Sequence, residues 1–193
     1  MSEGYAKVLD GLKLAFPDLD LEDPNFKGSP NRMARALIEI CSGLGIKEDS
    51  VFSQTFPAES YDQMVILKDI EYTSLCSHHF FPFSGTASVG YIPNGESHEH
   101  GGGKVVGLSK LARIVDAFAQ RPQLQERLSY NVAHSIHMHL NPKGVMVMVK
   151  GQHGCLNCRG AKKRDAEMIT TSVEGVFKDQ PALREEFLKL IQK

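Results

Sequence analysis

The stretch MVILKDIEYTSLCSHH, residues 64–79, decides how the rest of the chain is organised. Its β-branched and aromatic side chains predict one long strand over residues 64–75, interrupted only at Lys68-Asp69. The strand leads into a Cys76-x-x-His79 pattern. Because residues i and i+3 of a straight strand point to opposite faces, these two side chains bind one metal only if the chain turns after Cys76. The stretch therefore predicts a strand, a turn and part of a metal site.

A second cluster of Cys and His, HGCLNCR, begins at His153. Zinc takes mixed Cys and His ligands in tetrahedral geometry, and the predicted ligands are Cys76, His79 and Cys155. Three protein ligands leave one position for water, which is the arrangement of a catalytic zinc. His78 and His153 then lie beside the metal, where they are free to transfer protons.

Cys158 leaves a second interpretation open. As a fourth ligand it would close the site to water, which is the arrangement of a structural zinc. The protein would then be a zinc-stabilised structural or binding module without catalytic activity. Buried thiols that bind no metal are a third interpretation, but two clusters that each combine Cys with His favour a metal.

Composition restricts the remaining classes of function. The chain has 193 residues, of which 41% are hydrophobic and 23% are charged, as in a soluble globular protein. The net charge of -1 gives no overall field for nucleic acid, so an anionic ligand has to be bound by local groups of Lys and Arg. The N-terminus lacks the pattern of a secretion signal, and no apolar run is long enough for a membrane span. We therefore expect a cytoplasmic protein that binds neither nucleic acid nor membrane.

Hydrophobic periodicity predicts an α+β fold. Two N-terminal helices, over residues 6–16 and 32–44, form an appendage that we assign to residues 1–50. The main domain, residues 51–193, has the order β-β-α-α-β-β and a closing helix over residues 181–191. The six core elements are predicted over residues 64–75, 81–92, 109–121, 123–140, 145–149 and 169–177. Two hairpins that flank a helix pair indicate a four-stranded antiparallel sheet with both helices on one face.

Two features of this arrangement concern the surface. A four-stranded sheet has two exposed edges, and this favours ring-like assembly by edge pairing. The glycine-rich segment between Pro93 and Val105 is predicted to be a flexible loop, in which His98 and His100 are solvated and bind no metal.

Five segments together resemble the GTP cyclohydrolase I family, and the resemblance runs from about residue 29 to residue 177. They are CSHHF at 76–80, GYIP at 90–93, VGLSKLARIV at 106–115, QRPQLQERL at 120–128, and the His153-x-Cys155-x-x-x-Arg159-Gly160 pattern. The resemblance implies the tunnelling fold, whose order is β-β-α-α-β-β, assembled as a homodecamer of two pentameric rings. It also implies a Zn²⁺ cofactor and the conversion of GTP and water to 7,8-dihydroneopterin triphosphate and formate, the first step of pterin and tetrahydrofolate biosynthesis.

The same resemblance assigns roles to individual residues. The metal ligands are again Cys76, His79 and Cys155, and the residues assigned to catalysis are His78, His153, Ser109 and Gln125. The substrate-binding residues are Glu126, Lys110, Arg113, Arg159 and Arg32. Glu126 would accept hydrogen bonds from the guanine ring, with Gln125 beside it, and Arg32 would reach the triphosphate from a neighbouring subunit. A tunnelling-fold relative that acts on another purine or pterin stays open, because it would use Glu126 in the same way.

Overall fold

The structure is a computed structural model that describes residues 1–95 and 103–192. These residues form two compact units, Met1–Cys41 and Ser42–Lys193. The predicted division of the chain at residue 50 stays a prediction. None of the helices in the described part of the chain is long and apolar enough to cross a bilayer.

The first unit consists of two helices, α1 (Ser2–Ala15) and α2 (Ser29–Ile40), joined through a 3-10 turn at Pro24–Phe26. Helix α1 begins four residues before the predicted start and ends before Pro17, which cannot continue a helix. Helix α2 begins at Ser29 because Pro30 is tolerated in the first turn, where its missing N–H leaves no bond unmade. Both predicted helices are present.

The second unit contains the remaining helices and all the strands. In chain order its elements are α3 (Glu48–Val51), β1 (Phe56–Pro57), β2 (Val65–Cys76), β3 (Pro82–Ile92), β4 (Lys104–Val105), α4 (Leu108–Ala119), β5 (Pro122–Gln123), α5 (Gln125–Leu140), β6 (Gly144–His153), α6 (Gly154–Asn157), β7 (Met168–Gly175) and α7 (Pro181–Ile191). The order β2-β3-α4-α5-β6-β7 confirms the predicted β-β-α-α-β-β core of an α+β tunnelling fold.

The main sheet has the strand order β5-β2-β3-β6-β7. Its four long strands are antiparallel, as predicted, but β5 adds a short fifth strand parallel to the end of β2. The helix predicted from about Gln123 to Leu140 is present, but it begins two residues later, at Gln125, because Pro122–Gln123 form β5. Gln123 instead accepts a backbone hydrogen bond from Ser77, at 3.0 Å, and so holds the residue that follows Cys76.

A second correction concerns the predicted loop after Pro93. Its last two residues form β4, which pairs with β1 in a separate two-stranded sheet. A strand of two residues has no periodicity, so the sequence pattern could not indicate it. The predictions for His98 and His100 lie outside the described residues.

The strand β6 is covered on both of its faces. Val145, Val147 and Val149 belong to the core formed with α4 and α5, whereas Met146 and Met148 pack with Phe187 of α7. Both core helices thus lie on one face of the sheet, as predicted, and α7 covers part of the other. A strand buried on both faces reads as a continuous apolar run, which is the pattern at residues 144–149.

The interruption predicted in β2 is a change of strand register. Pairing with β3 shifts between Leu67 and Ile70, and Asp69 adopts a φ of 56°. An extra residue at such a bulge bends the strand and increases its twist. After the bulge the strand continues in one register to Leu75, so Cys76 is placed at the end of a long, well-paired strand.

Candidate functional site

The first part of the site is the turn that joins β2 to β3. The Cys76 N–H donates to Phe81 O and the Phe80 N–H donates to Cys76 O, both at 2.8 Å. Phe80 adopts a φ of 56°, a left-handed conformation that costs a non-glycine residue about 1–2 kcal/mol. This tight turn brings Cys76 and His79 to the same side of the chain, as the Cys-x-x-His spacing required.

The second part of the site is the junction between β6 and α6. His153 ends β6 and pairs across the strands with Phe83, and the chain then enters the one-turn helix that carries Cys155. The ligand atoms of Cys76, His79 and Cys155 all lie within 4.8 Å of one another. In the described part of the chain this is the one group of three or more such side chains close enough to hold a metal ion.

The donor set fits a zinc ion. Two sulfur atoms and one imidazole nitrogen are preferred zinc ligands, and a further coordination position would be left for water or substrate. Cys76 is buried, Cys155 is half-buried and His79 is exposed, so the cluster has both an apolar wall and an open side. The open side is on the turn between β2 and β3.

The electrostatics of the Cys155 thiol also favour a bound cation. Burial raises the pKa of the Cys155 thiol, and the neighbouring Cys76 raises it further, whereas Arg159 acts in the opposite direction. Without a cation the Cys155 thiol is therefore protonated at neutral pH. A coordinated dication deprotonates such thiols, so the site is complete only with a metal.

Cys158 lies outside this cluster. Its S–H donates to the carbonyl oxygen of Gly154 at 2.8 Å, and the side chain is exposed. The closed site with four protein ligands would require this thiol to leave Gly154 and turn toward Cys155.

His153 is held on two sides. Its ring stacks on that of Phe83, with 4.4 Å between the ring centroids and 6° between the planes. Its Nε2 atom lies 2.8 Å from Gln125 Oε1. Burial lowers the pKa of His153, whereas the negative charge of Glu126 acts in the opposite direction. His153, Gln125 and Glu126 are thus neighbours, although Glu126 itself is exposed.

The second candidate proton carrier, His78, is placed differently. It is exposed in the turn, and its ring centroid lies 6.2 Å from that of His79 at an interplanar angle of 81°. It is therefore next to a candidate metal ligand and accessible to a ligand from solvent.

The candidate phosphate-binding residues are less concentrated. Ser109 and Lys110 lie in the first turn of α4, and Arg113 lines a cavity one turn later together with Asp116. Within residues 42–95 and 103–192 the structure shows no hydrogen bond or ion pair that joins these three side chains to the Cys and His cluster. Arg159, by contrast, is close enough to influence the Cys155 thiol.

Arg32 belongs to the first unit and is engaged there. Its guanidinium donates to Lys27 O and Asn25 O, both at 2.8 Å, and to Ser29 Oγ at 2.6 Å. These bonds fix the loop that precedes α2. The remaining guanidinium N–H groups are the ones available to a ligand.

Three residues that no sequence pattern marked as functional support the site. Phe83 stacks on His153, Tyr72 donates to Lys150 O at 3.1 Å, and Gly151 leaves the space that Tyr72 and Gln125 occupy. Each depends on pairing between distant segments. Only the cross-strand register, which a single sequence does not give, brings them together.

The fold and the site define an α+β tunnelling-fold protein with a candidate three-ligand metal site at one end of its sheet. The profile of the family described as GTP cyclohydrolase I matches residues 12–192. The chain therefore belongs to the GTP cyclohydrolase I family, as its sequence motifs predicted.

Two named sequence relatives agree with this membership. The chain is 46% identical to GTP cyclohydrolase 1 of Bacillus subtilis (strain 168), over 89% of this chain and 88% of that one. It is 41% identical to GTP cyclohydrolase 1 of Clostridium perfringens (strain 13 / Type A), over 96% of both chains. Among solved structures, it is similar to the archaeosine synthase QueF-Like in the apo form, with 24% identity, a TM-score of 0.43, and coverage of 58% of this chain and 93% of that one.

Proposed function

We propose that the protein catalyses the GTP cyclohydrolase I reaction, in which GTP and water give 7,8-dihydroneopterin triphosphate and formate, at the first step of pterin and tetrahydrofolate biosynthesis. The observation that carries this proposal is the cluster of Cys76, His79 and Cys155 beside His153, in a chain of this family. A cytoplasmic location, expected from the sequence, fits a nucleotide substrate.

Zinc is the metal that this donor set fits best, and Cys76, His79 and Cys155 would hold it. When bound, zinc supplies a Lewis acid and lowers the pKa of a coordinated water toward neutrality. Cys158 is not in the proposed ligand set, because its thiol donates a hydrogen bond to Gly154 O.

The histidines would handle the protons of ring opening. Because burial lowers its pKa, His153 is largely neutral at pH 7 and can accept a proton there. His78, which is exposed on the turn, would serve as the second group that exchanges protons with the purine. Opening of the imidazole ring at C8 requires both protonation and deprotonation steps, so two such groups are needed.

Recognition of the purine would rest on Glu126. Its carboxylate is exposed next to His153 and can accept two hydrogen bonds from the N–H groups of guanine. Adenine would leave the carboxylate without these donors, and a site built to accept a substrate's N–H groups discriminates against an analogue that lacks them. Lys110, Arg113 and Arg159, with Ser109, would bind the ribose and triphosphate by charge-assisted hydrogen bonds.

The test is a pair of cysteine variants. With GTP, the protein should release formate and form a fluorescent pterin, and Cys155→Ala should lose both this activity and bound zinc. Cys158→Ala is the matched control, one helical turn away, and should keep both. Loss of zinc in Cys158→Ala, or full activity in Cys155→Ala, would contradict the proposed ligand set. Product from ATP at a rate equal to that from GTP would contradict the role of Glu126.

We also propose that the working form is a homodecamer of two pentameric rings, in which Arg32 of one subunit serves the site of another. Mixing Arg32→Ala with His153→Ala, each inactive alone, should then restore part of the activity after reassembly. Mixed rings as inactive as both parents would make Arg32 a structural residue of its own subunit.

A further inference from the structure

The side chain of Gln125 forms its hydrogen bonds entirely inside the protein. It lies at the start of α5 and is only 1% exposed. Its Nε2 atom donates to Val149 O at 3.0 Å and to Met168 O at 2.8 Å. Backbone carbonyls only accept, so these two bonds decide which end of the amide is nitrogen. The oxygen end, Oε1, therefore faces His153, whose Nε2 lies 2.8 Å away.

The hydrogen bond to Gln125 fixes which edge of the His153 ring faces α5, which stacking on Phe83 does not. Stacking fixes the plane of the His153 ring, but a half-turn of the ring keeps that plane and exchanges the nitrogen atoms with carbon atoms. An amide oxygen has no hydrogen to donate, so the ring nitrogen that faces it has to carry one. The contact with Gln125 thus selects both one ring orientation and the tautomer that carries its hydrogen on Nε2.

We infer that Gln125 is a positioning residue for the reaction: it holds His153 as the Nε2–H tautomer, so that Nδ1 is the nitrogen that exchanges protons with the substrate. This inference rests on the proposed function. Gln125 and Glu126, which were both expected beside the guanine, then have different roles: Gln125 orients His153, and Glu126 binds the purine. Both amide hydrogens of Gln125 are already donated to backbone carbonyls, whereas the Glu126 carboxylate is exposed.

Steady-state kinetics separate these tasks. In Gln125→Met, which keeps the side-chain length but has no amide, kcat should fall by about 10- to 100-fold, because general acid–base catalysis contributes about 10²- to 10⁴-fold and part of it survives in the correctly oriented fraction. The KM for GTP should stay within about twofold of wild type. Glu126→Gln is the contrast variant and should raise KM instead. Zinc content and thermal melting of both variants show whether they are folded.

A second measurement does not depend on any variant of Gln125 folding. Long-range ¹⁵N–¹H spectra of protein labelled with ¹⁵N-histidine, with His153→Ala used to assign the ring, report which nitrogen carries the hydrogen. The zinc-free wild-type protein should show His153 protonated on Nε2, and Gln125→Met should lose this preference. A wild-type ring protonated on Nδ1, or a Gln125→Met variant that raises KM and leaves kcat unchanged, would overturn the inference. Wild-type protein that forms no pterin from GTP would instead overturn the proposed function.

Discussion

Substitution of Gly151 by alanine should disturb the site without changing any polar group. Gly151 lies in β6, and a methyl group there would lie 2.5 Å from Tyr72 Oη and 2.6 Å from Gln125 Oε1. Ordinary contact begins at 3.4 Å, so the methyl group overlaps both oxygen atoms by about 0.8–0.9 Å. Both oxygen atoms belong to buried side chains with fixed partners, so neither can move without giving up a hydrogen bond.

Gly151→Ala should lower both the thermal stability and kcat. Overpacking of a tight interior costs about 1–3 kcal/mol, and in a domain of this size each kcal/mol lowers Tm by about 2–4 °C. The Tm of Gly151→Ala should therefore fall by roughly 2–12 °C. Because one of the displaced atoms is the oxygen that faces His153, kcat should also fall, with little change in KM.

Melting curves and GTP kinetics would be measured against two comparisons. Gly45→Ala is the matched control, since a methyl group there meets nothing within 4 Å, and it should leave both Tm and kcat unchanged. Tyr72→Phe removes one of the two overlapping oxygen atoms. The double variant Tyr72→Phe with Gly151→Ala should therefore lose less stability than the sum of the losses in the two single variants. Wild-type Tm and kcat in Gly151→Ala would refute the reasoning.

Three further predictions concern packing, charge and metal. Phe187→Ala should lower the free energy of unfolding, measured in urea, by about 3–5 kcal/mol, because this fully buried ring packs α7 against the sheet. A decrease in the free energy of unfolding below about 1 kcal/mol would contradict this. Asp116→Asn should raise Tm at pH 7, because burial raises the pKa of Asp116 and disfavours its charged form in the folded state. The gain in Tm should vanish below about pH 4, where the carboxyl is protonated in both the folded and the unfolded state. A gain in Tm that does not depend on pH would contradict this. Prolonged removal of metal by a chelator in air should inactivate the protein, because oxygen then joins Cys76 to Cys155 in a disulfide. The loss of activity should be faster at pH 9 than at pH 7, because the raised pKa of Cys155 leaves little of the reactive thiolate at pH 7. Full recovery of activity with zinc alone, without reductant, would exclude this.

The main elements of the fold were predictable because their patterns are long. The strand that ends at Cys76 and the helix over Pro181–Ile191 each carry enough apolar residues to show their period. The two-residue strands β1, β4 and β5 were missed for the opposite reason. They exist only because a distant strand pairs with them, and Gln123 has no local signal that distinguishes a strand from the first turn of a helix.

The candidate site was predictable in its chemistry and less so in its geometry. Spacing within the chain indicated that Cys76 and His79 could share a metal if the chain turned, and the turn is present. The spacing did not distinguish Cys155 from Cys158, because the two are only three residues apart; in the structure Cys155 lies near Cys76 and His79, whereas Cys158 is exposed and donates to Gly154 O. The pairing of His153 with Phe83 and Gln125 depends on contacts across 28 to 70 positions of the chain, which local patterns do not encode.

The hydrogen bond from Gln125 to Met168 O links the site to the edge of the sheet. Met168 is the first residue of β7, and β7 is the last strand of the sheet. A slip of β7 by one residue would turn the opposite groups toward α5, so the amide would lose one of its two backbone acceptors and would be held only by Val149 O of β6. The alignment of β7 on β6 therefore helps to fix the Gln125 amide, and with it the ring nitrogen that His153 presents, so fraying of this sheet edge would lower the rate of proton transfer.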